Sequence, residues 1–205
     1  MPAVFVHGVP DTHRVWNGLI QRLHRDDNID RPIDLVAHDW GALLALRVAS
    51  LEPTLIRTVA VGGAPLDAEY EWHKAAQVWQ TPEIGEQAME RLTRETLASG
   101  LVAVGVPTAD ATETARHVDA TMKRSILALY RSAVHVGAEW EPGLARIKSP
   151  GLVLWGADDP YVARIFGGRL ASRIGARFVS FPDCSHWWQL QRVGEVAAEL
   201  ETLWS

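Results

Sequence analysis

Five short apolar runs, rich in β-branched residues, punctuate the chain: Ala3–Val6, 33–37, 58–61, 151–155 and Arg177–Phe181. Each has strand length, and the first three are followed by glycine or a turn and then by residues at helical spacing, the pattern of parallel βα units. Helices are predicted over 15–23, over 42–51 with its run of Ala and Leu stopped by Pro53, over 162–174, and over the amphipathic close Val193–Trp204. Residues 65–148, between the third and fourth strands, are too long for a loop and too helical for a linker, with one break at 105–107. The chain thus reads as an α/β core, 1–64 and 149–205, into which a helical cap, 65–148, is inserted.

Composition narrows the setting. The chain has 205 residues, 47% hydrophobic and 22% charged, with a formal charge of -5 and no basic block, so nucleic acid and anionic membrane surfaces are poor partners. Cys184 is the single cysteine, which excludes an internal disulfide framework, and no Cys/His cluster has zinc spacing; a reducing cytoplasm fits. Neither a leader nor a membrane-spanning run is expected, no metal or organic cofactor is implied, and the expected partner is a small-molecule substrate. Three of the nine tryptophans, Trp72, Trp79 and Trp140, fall in the cap segment.

Chemistry concentrates where strands end. Ala37-His38-Asp39-Trp40-Gly41 follows the second strand and opens the next helix, with small residues flanking the centre as a sharp strand-turn-helix elbow requires. Such a turn pushes its central side chain, here a carboxylate, into the open at the carboxyl edge of the sheet; the plainer alternative is that Asp39 only N-caps the helix. His7-Gly8-Val9-Pro10 ends the first strand, and the amides of Val9 and Trp40 can converge there on an oxyanion. Gly156-Ala157-Asp158-Asp159-Pro160 follows the fourth strand and Cys184-Ser185-His186-Trp187 the fifth, supplying an acid and an imidazole in the chain order nucleophile, acid, histidine.

These four segments resemble the α/β-hydrolase superfamily, in its branch of epoxide hydrolases and haloalkane dehalogenases. The resemblance implies Asp39 as nucleophile, Asp159 as acid with Asp158 as fallback, His186 as base, Val9 and Trp40 as oxyanion donors, and a cis bond before Pro10. A carboxylate nucleophile forms an alkyl ester that a His186-activated water then cleaves, which suits a carbon bearing a displaceable oxygen or halogen. For epoxides the leaving oxygen needs an acid: Leu129-Tyr130-Arg131 resembles the family's late cap segment and makes Tyr130 the candidate. Residues 78–82 resemble the earlier segment but lack its tyrosine, leaving Tyr70 as a weak substitute. For halides, Trp40 with Trp72 or Trp79 would supply ring donors. Epoxides are favoured, with a dehalogenase, or a degenerate hydrolase serving as a binding or assembly module, as the alternatives.

The chain departs from the family in one place. Only 31 positions separate Gly8 from Asp39, far fewer than usual, so a strand, a loop and a helix are missing, as are two strands before His7-Gly8. The first strand should therefore be a sheet edge with unpaired backbone groups. The connection left over, one helix and a polar stretch over 25–32, should cross right-handed and put that helix on the face opposite to its usual one. A homodimer covering the edge, or a connection longer than the printed one, would accommodate the loss differently.

Overall fold

The computed structural model describes residues 2–23 and 32–205. All five apolar runs are strands: β1 Ala3–Val6, β2 Ile33–His38, β3 Ile56–Gly62, β4 Gly151–Gly156 and β5 Arg177–Phe181. They pair in parallel in the order β1-β2-β3-β4-β5. Their near-continuous hydrophobicity follows from burial on both faces. Leu35, Ala37, Val59, Val61, Val153 and Trp155 face one core cluster, while Val36, Ala60, Leu152 and Leu154 face the other. The register sets Val6 beside Ala37 and Ala37 beside Val61, so the carboxyl ends of β1, β2 and β3 lie level. Loops leaving those ends therefore meet.

The helices are α1 Asn17–Leu23, after a 3-10 turn His13–Trp16; α2 Trp40–Leu51; then, between β3 and β4, α3 Lys74–Gln80, α4 Ile84–Arg91, α5 Arg94–Ala103, α6 Thr108–Ala115, α7 Ala120–Ser132 and α8 Val136–Trp140; and finally α9 Arg164–Ile174, α10 Trp188–Gln191 and α11 Val193–Trp204. The break expected at 105–107 is the α5–α6 turn, where Gly105 takes φ +93° and Pro107 precedes the first residue of α6. No helix among the described residues is long and apolar enough to cross a membrane.

β1 is the sheet edge that the sequence leads one to expect. The handedness expectation fails. The helix after β1 lies with α11 on one face, whereas α2 and α9 lie on the other. The β1–β2, β2–β3 and β4–β5 connections all step in the same direction across the sheet, so the first has the opposite hand to the other two. Two physical reasons outweigh the rule. The face that a right-handed crossover would use is already occupied beside β1 by the start of α2, where a Cβ at Gly41 would come within 2.4 Å of the Val6 carbonyl oxygen. On the face actually used, Val15, Trp16 and Leu19 are buried against Phe5, Val36 and Trp188, each side chain contributing about 1.5–3 kcal/mol. Residues 25–31 of the polar stretch lie outside the described residues. On α2, Leu44, Val48 and Leu51, with Leu55 just beyond, are each about half exposed.

Candidate active site

Asp39 occupies the turn between β2 and α2 with φ +54° and ψ −126°, a left-handed conformation that a non-glycine residue adopts at a cost. Although it stands at the N-cap position, its side chain makes no capping bond. The carboxylate turns to the carboxyl edge of the sheet instead, where the Val9 amide donates to Oδ2 at 2.9 Å. Gly8 permits that approach, since a Cβ there would lie 2.3 Å from Oδ2. The Val9–Pro10 bond is cis.

The other two loops complete the cluster. His186 Nδ1 bonds Asp159 Oδ2 at 2.7 Å, and His186 Nε2 faces Asp39 Oδ1 at 3.7 Å, an ion-pair distance longer than a hydrogen bond. Asp159 Oδ1 also accepts the amides of Tyr161 and Val162, at 2.8 and 2.9 Å, which orients the carboxylate. Asp158 is exposed, so of the adjacent acids it is Asp159 that meets the imidazole. Gly156 is needed behind this loop, where a Cβ would collide with the Ser185 carbonyl oxygen.

Burial and charge then set the protons. Burial alone would lower the His186 pKa, but the charge and hydrogen bond of Asp159, with Asp39, outweigh it and raise the value to about 10. Burial would raise Asp39 and Asp159, yet both are held below the usual carboxylate range. His186 is the chief partner in each case, helped by His38 and the Trp40 amide at Asp39 and by the two backbone amides at Asp159. The cluster is an ionised carboxylate pair about a protonated imidazole.

Over this cluster lies a cavity of about 260 Å³, lined from the core by Val9, Asp39 and His186 and from the β3–β4 segment by Tyr70, Trp72, Trp79 and Tyr130 among others. Tyr130 is buried in an aromatic box, its ring edge-on to Trp40, Trp72 and Trp79 at 4.9–5.2 Å. Burial, then the Asp39 charge, push its hydroxyl pKa above the ordinary value, so it holds its proton. Tyr70 also lines the cavity, but its hydroxyl donates to the Tyr161 carbonyl oxygen at 3.1 Å. Trp72 stacks on Trp40, and its indole N–H is engaged by the Val134 carbonyl oxygen at 3.1 Å. Among the described residues the buried Trp40 Nε1 makes no hydrogen bond of regular geometry, although it lies close enough to the Tyr130 hydroxyl to lower that group's pKa. Trp140, the third tryptophan of the β3–β4 segment, lies under the Arg47 guanidinium instead of at the cavity.

Three polar side chains at or behind the site escape sequence reasoning. His73 lines the cavity and accepts the Ala76 amide at Nδ1, which leaves the proton of the neutral ring on Nε2; burial lowers its pKa. Its signal was its place beside Trp72. Tyr161 lines the cavity two residues beyond Asp159, its hydroxyl pushed up to about 12 by burial and then by the carboxylates. Asp11, one residue past Pro10, lies buried behind the site and accepts the Trp187 indole at 3.1–3.2 Å.

The sequence profile of the alpha/beta hydrolase family matches residues 17–199. Among solved structures, the chain resembles Cfl2 from Burkholderia cenocepacia with a TM-score of 0.81 at 17% identity, covering 100% of this chain and 88% of that one. A meta-cleavage product hydrolase from Pseudomonas fluorescens IP01 matches with 0.78 at 14% identity, covering 100% and 90%. The haloalkane dehalogenase DbeA from Bradyrhizobium elkani USDA94 matches with 0.73 at 19%, covering 98% and 90%. At these identities the likeness is one of fold.

Proposed function

Since this chain belongs to the α/β-hydrolase family, we propose that it is a hydrolase that opens epoxides through an ester on Asp39, with the helical segment over residues 65–148 acting as its cap. The observation that carries this reading is the division of labour on one carboxylate: Oδ2 is held by the Val9 amide, while Oδ1 is left facing His186 and the cavity. In the first step Oδ1 attacks an epoxide carbon, the C–O bond breaks, and the oxygen takes the Tyr130 proton. In the second, His186 removes a proton from water, the resulting hydroxide adds to the Asp39 carboxyl carbon, and Oδ2 carries the negative charge toward the amides of Val9 and Trp40. The bond from that carbon to Oδ1 then breaks, the diol oxygen takes the His186 proton, and the carboxylic acid left at Asp39, now holding an oxygen from water, returns its proton to His186. Esterification removes the Asp39 charge, one of the two that hold the His186 proton. The imidazolium can then give up its proton, which restores the Tyr130 phenolate left by the first step and frees the base at the stage that uses it.

Two observations bear on the choice of leaving group. Tyr130 is a protonated hydroxyl in the cavity, which suits an alkoxide. The Trp40 indole, which makes no regular hydrogen bond among the described residues, favours the second reading, dehalogenation, because a halide needs such a donor; Trp72, already bonded to Val134, is a poor second donor. A degenerate binding module is the third reading, and the exposed β1 edge and α2 stripe would suit a second copy of the chain.

The test is the intact mass of His186→Ala after exposure to epoxides and haloalkanes. A gain equal to the whole epoxide, abolished by Asp39→Asn, is expected. A gain lacking the halogen selects the dehalogenase, and a folded protein with no adduct removes the enzyme reading.

A further inference from the structure

The β3–β4 helices form two groups that meet across the cavity. α3, α4 and α7 pack together over Trp40 and Tyr130. α5 and α6 pack on each other and form a separate apolar cluster with Trp187, next to His186. The cavity is lined from both groups. Beside the aromatic and polar groups about Asp39, its lining is aliphatic, with Leu97 and Leu101 from α5 and Leu92, Met122 and Ile126 from the other group. Thr96 and Gly100, four residues apart on α5, line the cavity and are also exposed, which places them at its mouth.

Gly100 is the unusual member of this wall. Glycine weakens a helix interior, and α5 runs from Arg94 to Ala103, so the residue stands well inside. Its chain neighbours and own helix backbone aside, no described residue lies within 4 Å of a Cβ built there, and its φ is not positive, so neither packing nor backbone conformation calls for glycine. What a side chain would do at this position is project into the mouth.

We propose that Gly100 sets the bore of the cavity mouth, and that the substrate carries an alkyl arm running from its reacting carbon between α5 and α7. The proposal rests on the epoxide reading for the reaction but on the cavity alone for the arm. The aliphatic lining has no hydrogen-bonding group to offer apart from Thr96, and each buried methylene of the arm strengthens binding about fourfold.

The experiment compares kcat/KM on 1,2-epoxybutane and 1,2-epoxydecane for the parent and for Gly100→Ala, Gly100→Val and Gly100→Leu. The ratio in favour of the longer epoxide is expected to fall stepwise with side-chain size, by tenfold or more at leucine. A ratio unchanged across the series, or a fall at alanine as large as at leucine, overturns the proposal. In parallel, binding of 1-butanol through 1-decanol to Asp39→Asn, read by tryptophan fluorescence, separates arm from reaction. Affinity that climbs with chain length and flattens once Gly100→Leu is added supports the arm even if no epoxide reacts. Affinity indifferent to chain length refutes the arm even if epoxides do react.

Discussion

Two aspartate–histidine pairs lie side by side in this protein, Asp159 with His186 and Asp11 with His38, their imidazoles 4.4 Å apart between ring centroids. All four side chains are largely withdrawn from water, yet the pKa values of the two pairs shift in opposite directions. In the first pair the carboxylate lies 2.7 Å from the imidazole nitrogen and accepts two backbone amides as well, so it stays ionised and His186 rises to about 10. In the second, Asp11 Oδ2 lies 3.8 Å from His38 Nδ1 and the Trp187 indole is its hydrogen-bond donor. Burial then dominates, with the Asp39 charge adding to it, and pushes Asp11 up to about 7. Burial, reinforced by the positive charge of His186, pushes His38 down to about 3. His38 is held as the neutral tautomer that donates from Nε2 to the His186 carbonyl oxygen at 3.0 Å and accepts the Gln189 amide at Nδ1. Burial alone does not place a charge; donors at short distance do.

The comparison breaks most visibly at Asp159. Asp159→Asn replaces an acceptor with an amide that can donate to Nδ1, which favours the tautomer with its proton on Nε2, where the base function is lost. A fall in turnover of roughly 10⁴-fold is expected, with the His186 pKa dropping well below about 10 in an imidazole NMR titration. Retention of activity within tenfold would place the orienting acid elsewhere.

Asp11 should respond in stability. Its folded pKa lies above the ordinary 3.8, so between that value and about 7 the folded state binds the proton more tightly than the unfolded state does, and stability falls as pH rises through the window. Asp11→Asn removes that loss while keeping an acceptor for Trp187. It should stabilise the protein by up to about 4 kcal/mol at pH 8 and by little at pH 4, in denaturant melts at the two pH values. Equal effects at both would show that the carboxyl is ionised throughout.

Gln189→Glu gives the second pair what the first already has. With a carboxylate placed at 3.2 Å from Nδ1, where the amide nitrogen now stands, the His38 pKa should climb from about 3 by one unit or more. An unmoved titration would mean that the neutral state of His38 does not stem from lacking a charged acceptor.

Much of this architecture is legible in the chain. The five strands could be found because residues buried on both faces of a parallel sheet leave unbroken apolar runs, and the elbow because a turn that tight requires Ala37 and Gly41 beside it. Asp39 could be placed because it follows β2 directly, and an acid and His186 because the loops after β4 and β5 leave the same sheet edge; the choice of Asp159 over Asp158 came from the family resemblance. His73, Tyr161 and Asp11 left no comparable mark. Each is a single polar residue in a loop or at a helix start, and its neighbours in space come from distant segments.

By itself, the sequence determined the strands, the βα order and the identity of the groups at the carboxyl edge, since local periodicity and turn chemistry suffice for those. Only the tertiary structure decided which face α1 takes, because the choice between connection hand and burial of Val15, Trp16 and Leu19 depends on α2 already standing beside β1. Only it decided, too, which aspartate carries a charge. Two chemically identical side chains, Asp11 and Asp159, have their pKa values shifted in opposite directions because, among the described residues, one gathers three donors and the other meets a single indole.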